Sequence, residues 1–161
     1  MQEFIIETKV KVFAIEELCE EDKSLVDAAR NASGKAYAPY SGFFVGAAVL
    51  LDNATTVTGS NQENAAYPSG LCAERVALFH AGAAYPEAKV LAMAVTAQTC
   101  GKWVGPVSPC GACRQVLLET QARAGHGIRV LLCGAEQAYL IENAAELLPL
   151  AFGAESLKTA D

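Results

Sequence analysis

The residues best equipped for chemistry are Cys72, Glu74, Cys110 and Cys113. They stand in Cys72-Ala73-Glu74-Arg75 and in Pro109-Cys110-Gly111-Ala112-Cys113-Arg114. Three thiolates can hold a zinc ion and leave its fourth tetrahedral position open to water. A carboxylate two positions from a ligand can reach that water, and a purely structural zinc site has no use for one. The pattern reads as a hydrolytic zinc centre, with Cys72, Cys110 and Cys113 as ligands and Glu74 as the proton carrier. Zinc held by three thiolates is net negative, so sulfur charge must be offset if the water is to stay acidic. Arg75 and Arg114 each directly follow a motif and can donate hydrogen bonds to ligand sulfur. The plainer alternative for both is salt bridging on a helix surface.

Those motifs need elements to aim them. Leu25, Val26, Ala28, Ala29 and Ala32 give residues 20 to about 37 a broad apolar helical face, with acids crowding the first turn. Residues 43–51 form a strongly apolar strand, and Asp52-Asn53 turns it into a second strand over 55–59. Helical spacing runs from Cys72 to about Ala83 and from Gly111 to Arg123. Strands are expected over 89–96, 129–133 and 139–141, and a helical turn over 144–148 stops at Pro149. The alternation predicts a three-layer α/β/α fold with one mixed sheet of about five strands. Residues 21–161 form a single domain, preceded by an extension over 1–20 in which Lys9-Val10-Lys11-Val12-Phe13 alternates like a strand. Both cysteine motifs fall where a helix begins. The positive end of a helix favours thiolate over thiol, so two converging helix starts can deliver three ligands to one ion.

The whole-chain balance narrows the partners. The 161 residues are 52% hydrophobic with a net charge of −6, which suits one folded domain. No Lys/Arg block offers a basic groove, which argues against polymeric nucleic acid and for a small neutral substrate. No apolar run is long enough to cross a membrane, and the N-terminus lacks the pattern of a secretion signal. A cytoplasmic location is expected, with the paired cysteines serving metal or catalysis rather than disulfides. Cys19, Cys100 and Cys133 have no partner spacing and read as small hydrophobes. His80 and His126 read as surface or loop residues.

Cys-Ala-Glu-Arg together with Pro-Cys-Gly-Ala-Cys-Arg-Gln resembles the short cytidine deaminases that act on free nucleosides. Ser41-Gly42-Phe43-Phe44-Val45-Gly46-Ala47-Ala48 and Asn61-Gln62-Glu63-Asn64-Ala65-Ala66-Tyr67 resemble further motifs of that family, so the likeness spans residues 37–152. It implies one zinc per subunit on Cys72, Cys110 and Cys113, with Glu74 moving protons during hydrolytic deamination of cytidine and deoxycytidine. It implies that Asn61 and Glu63 bind the ribose 3′-hydroxyl and that Phe43 packs on the pyrimidine. Backbone groups near Ala73 and Ser108 would read the base edge and the departing amine. Phe152 would close a neighbouring subunit's site in a homotetramer. Ser60 departs from the family, where many relatives have cysteine. The segment Cys100 to Gly105 lengthens a loop, and Trp103 within it is expected near the mouth of the site or a subunit contact.

Other readings stay open on the residues alone. A deaminase of another aminopyrimidine compound, such as a nucleoside antibiotic, would keep the zinc motif, although Asn61 and Glu63 argue against it. Cys110-Gly111-Ala112-Cys113 alone would suit a thiol redox protein, but this leaves Cys72 and Glu74 without a role. A zinc-stabilised binding module would release no ammonia.

Overall fold

The computed structural model of the chain describes residues 1–157. The elements are β1 (Lys11–Ala14), α1 (Glu20–Ser33), β2 (Phe43–Leu51), β3 (Thr56–Ser60), α2 (Ala73–Ala84), β4 (Val90–Thr99), β5 (Lys102–Trp103), α3 (Gly111–Ala124), β6 (Arg129–Cys133) and β7 (Gln137–Ile141). They build one sheet in the order β1-β7-β6-β4-β2-β3, with β5 added to the end of β4. Only β4 and β6 run parallel; the other pairs are antiparallel. A parallel pair needs a crossover, and α3 supplies it.

The central strands are apolar on both sides because both faces of the sheet are covered. One core joins Ala47, Val49, Val57, Met93 and Val130 to Ala77 of α2 and Leu117 of α3. The other joins Ala48, Ala94 and Leu131 to Leu25, Val26 and Ala29 of α1. Helix α1 thus covers one face while α2 and α3 cover the other, giving the expected three layers.

The sheet has seven strands rather than about five. One addition is β1, paired antiparallel with β7, so the sheet continues into the segment 1–20. The other is β5. Cys100 at φ 49° and Gly101 at φ 70° form a two-residue turn with positive φ at both positions, which returns the chain onto β4. Trp103 does not line the main cleft of the molecule. Its ring stacks on the Arg30 guanidinium, 5.4 Å from the centroid, and Arg30 also donates to the Gly134 carbonyl at 3.0 Å.

Two glycines set how closely the helices approach. A Cβ on Gly46 would overlap the Ala29 carbonyl oxygen of α1. A Cβ on Gly59 would overlap the Ala77 nitrogen and lie 2.6 Å from the Ala73 carbonyl oxygen. Gly59 therefore lets the first turn of α2 rest directly on β3. Helix α1 stops at Ser33, short of residue 37, because the chain is drawn into another pairing. Tyr37 N–H donates to the Asn61 carbonyl at 2.9 Å, and Glu63 N–H donates to the Tyr37 carbonyl at 2.8 Å.

Candidate active site

Cys72 and Cys110 occupy equivalent places, each the extended residue immediately before its helix, and Cys113 lies in the first turn of α3. The Cys72 and Cys110 carbonyls accept the first helical bonds, from Val76 at 3.1 Å and Arg114 at 3.0 Å. Neither helix start has a side-chain cap, so Cys72 and Cys110 each stand at a positive helix end that favours the thiolate. The three Sγ atoms lie within 4.8 Å of one another, with Cys72–Cys110 at 3.8 Å and Cys110–Cys113 at 3.5 Å. Tetrahedral zinc with Zn–S bonds of about 2.3 Å requires sulfurs about 3.8 Å apart. The thiols are free, and their donor set and spacing fit zinc.

The electrostatics agree. The Cys72 thiol is lowered to about 5, first by a hydrogen bond from Cys113, with Arg75 also favouring the thiolate. Cys113 is pushed up, first because it donates that bond and then by burial. Arg75 Nε is buried with no hydrogen-bond partner, and its guanidinium faces Cys72 and Cys113. An unpaired buried donor is costly unless an acceptor is supplied, and charged sulfur is such an acceptor. Arg114 behaves differently. It donates to the carbonyls of Pro109 at 2.8 Å and Leu147 at 2.9 Å, bracing the chain that leads into Cys110. Gly134 helps the same approach, since a Cβ there would lie 2.9 Å from Gly105 and Pro106.

Glu74, in the first turn of α2, is only 4% exposed. Burial raises its pKa, and the Cys72 charge adds to the effect. A carboxyl group of raised proton affinity beside Cys72 and Cys113 is suited both to take up and to return a proton.

A cleft of about 520 Å³ opens beside this cluster, with Cys72 and Arg75 at one end and Asn61, Glu63, Tyr40 and Tyr67 along its wall. Backbone pairing ties the two ends together. Gln62 and Leu71 exchange hydrogen bonds at 2.8 and 3.0 Å, clamping the Asn61–Glu63 segment to the residue before Cys72. Asn61 is oriented by β2: its Oδ1 accepts from Val45 N–H at 2.8 Å, and its Nδ2 donates to the Phe43 carbonyl at 2.9 Å. The Glu63 carboxylate accepts from the Ser41 hydroxyl and from the Tyr40 amide at 2.9 Å. Those bonds, the hydroxyl first, hold its pKa below the ordinary value.

Of the other residues singled out in the sequence, Ala73 is fully buried between Cys72 and Glu74, and Ser108 is exposed two positions before Cys110. Phe43 is half-buried at the start of β2. Phe152 is 59% exposed, its carbonyl accepting from Gln115 at 2.9 Å. These four do not line the cleft of this single chain. Ser41 and Gly59 escaped the sequence reading of roles. A serine in a turn and a glycine in a strand carry no local sign of partners that lie far along the chain.

Residues 19–125, which include the three cysteines and Glu74, match the family described as the cytidine and deoxycytidylate deaminase zinc-binding region. The chain belongs to this family. It is 41% identical to a cytidine deaminase of Halalkalibacterium halodurans, over 83% of this chain and 95% of that protein. It is also 41% identical to one of Sporosarcina psychrophila, over 86% of this chain and 96% of that protein. The crystal structure of a cytidine deaminase from Burkholderia pseudomallei superposes with a TM-score of 0.67 at 42% identity, covering 81% of this chain and 98% of that one. A Mycobacterium tuberculosis cytidine deaminase superposes with a TM-score of 0.65 at 32% identity, over 83% of this chain and 98% of that one. Membership explains why three thiols, a buried carboxyl group and a cleft occur together: the chain is a zinc-dependent enzyme of the deaminase family. A thiol redox protein built on Cys110 and Cys113 would need neither Cys72 nor Glu74.

Proposed function

We propose that the protein converts cytidine and deoxycytidine, with water, to uridine or deoxyuridine and ammonia. The observation that carries this reading is Glu74, a buried carboxyl group of raised pKa two residues from Cys72, the thiol that lines the cleft. Cys72, Cys110 and Cys113 would hold the zinc. In such a donor set the ion supplies Lewis-acid activation of water, whose pKa falls toward about 7.

The chain's own residues do the rest. Glu74 removes a proton as the water oxygen attacks ring carbon C4, and delivers that proton to ring nitrogen N3. It then carries the remaining hydroxyl proton to the amine, which leaves as ammonia while the C4 carbonyl forms. Substrate plus water becomes product plus ammonia with no net proton change. Arg75 keeps positive charge beside the ligand sulfurs. Asn61 and Glu63 bind the ribose 3′-hydroxyl, and Phe43 packs on the base. Backbone groups near Ala73 and Ser108 hold the base edge and the departing amine.

The exposed Phe152 supports a homotetramer in which this ring closes a neighbour's cleft. The free thiols of the described chain suit a reducing compartment, which supports the cytoplasm as the place of action. No helix among the described residues is long and apolar enough to cross a membrane.

The test is ultraviolet-monitored deamination of cytidine, deoxycytidine and cytidine monophosphate, with and without a chelator. Both nucleosides should react, chelation should abolish turnover, and added zinc should restore it. Release of no ammonia from either nucleoside by zinc-replete protein rejects the proposal.

A further inference from the structure

We propose that Ser41 is the positioning residue that aims Glu63 at the sugar, and this rests on the nucleoside reading above. The direction of its hydroxyl is fixed from both sides. Phe43 N–H donates to Ser41 Oγ at 3.0 Å, so that oxygen is an acceptor there. An ionised carboxylate can only accept, so the Ser41 proton must point to Glu63 Oε1. Oε2 takes the Tyr40 amide at 2.9 Å and the Ser41 amide at 3.3 Å.

A carboxylate offers about four lone-pair sites. Three are filled, two on Oε2 and one on Oε1. The free position is therefore on Oε1, and the Ser41 hydroxyl decides where it points. Asn61 has its own remainder: one N–H and one Oδ1 lone pair stay free after the bonds to Phe43 and Val45. Together the two side chains present two free acceptor positions, one on each, and one free donor on the cleft wall. A hydroxyl group, which donates once and accepts as well, complements that pair. Ser41 also joins two recognition elements, because the amide it accepts from belongs to Phe43.

Loss of the Ser41 hydroxyl releases Oε1 and leaves the Phe43 amide without its partner. The experiment compares Ser41→Ala and Ser41→Thr with the wild type on cytidine and on 3′-deoxycytidine. For Ser41→Ala, KM for cytidine should rise about 10-fold with kcat within about 3-fold, the mark of lost uniform binding. KM for 3′-deoxycytidine should change less than about 2-fold, since the aimed acceptor then has nothing to hold. Ser41→Thr keeps a hydroxyl and should restore cytidine KM to within about 3-fold of wild type. Equal losses on both substrates, or a fall in kcat alone, would make Ser41 a structural residue of the turn and overturn the proposal. A zinc-replete wild-type protein inert toward both substrates would overturn the nucleoside reading and this inference with it.

Discussion

The metal end of the cleft hangs on two helices, and the end at Asn61 and Glu63, the proposed sugar end, on three short stretches of extended chain. At the metal end, each ligand position is set within one helical turn, and Cys113 and Glu74 are buried. At the sugar end, Tyr37, Gln62 and Leu71 are held by isolated backbone bridges, and the side chains aimed by them remain in reach of solvent. The metal end gains charge selectivity from helix dipoles and desolvation, both of which are strong where water is excluded. At the proposed sugar end, selectivity would come from matching lone pairs and N–H groups, which works in contact with water. The first arrangement suits a reaction centre, and the second suits a filter for substrate.

If that division is right, substitutions at the two ends separate kinetically. The largest effect belongs to Glu74. Glu74→Gln keeps the shape of the buried site and removes proton transfer. Turnover should fall by at least ~10²-fold with zinc content unchanged. Metal analysis beside a kcat measurement checks this, and retained activity removes Glu74 from proton transfer. Arg75→Gln comes next. It should weaken zinc retention against a competing chelator by about 10- to 100-fold, the usual effect of losing a partner that supports metal ligands. An unchanged zinc affinity would place Arg75 among ordinary surface residues. Glu63→Gln should leave zinc retention unchanged and raise KM for cytidine about 10-fold with little change in kcat. A variant at the sugar end that instead lost zinc would show that the two ends are one unit.

The same division explains what was readable before the fold was known. Cys72, Glu74, Cys110 and Cys113 announce themselves because helix starts and ligand spacing are local patterns, and the structure brings the three sulfurs together. The layers were equally legible, since β2 and β4 are apolar runs covered on both faces. The sugar-binding role proposed for Asn61 and Glu63 rests on family resemblance alone. Ser41 meets Glu63 across 22 positions, and nothing near either residue signals the pairing. Strand β5 was missed because its turn places Cys100, a residue rarely chosen for positive φ, at the first central position. Arg114 read as a sulfur donor by proximity. Its side chain instead points back along α3, as helical side chains do, and meets carbonyls.

Gly59 offers the finest test, because it touches both ends. It lies in β3 two positions before Asn61, and its missing Cβ leaves room for the Ala73 carbonyl between Cys72 and Glu74. Gly46 is its counterpart on the opposite face, making room for Ala29 of α1, away from the sulfurs. Gly59→Ala and Gly46→Ala each overpack a close contact and should cost about 1–3 kcal/mol of stability, visible as a lowered Tm. They should differ at the site. Pushing α2 away from β3 moves Cys72 and Glu74 relative to Asn61 and Glu63, so Gly59→Ala should lower zinc retention and raise KM together, each by a few-fold on the scale of small misplacements. Gly46→Ala should lower Tm while moving the two site readouts less. If both variants disturb stability and site in the same proportion, β3 is not the joint between the two ends, and the helix starts are placed by the core as a whole.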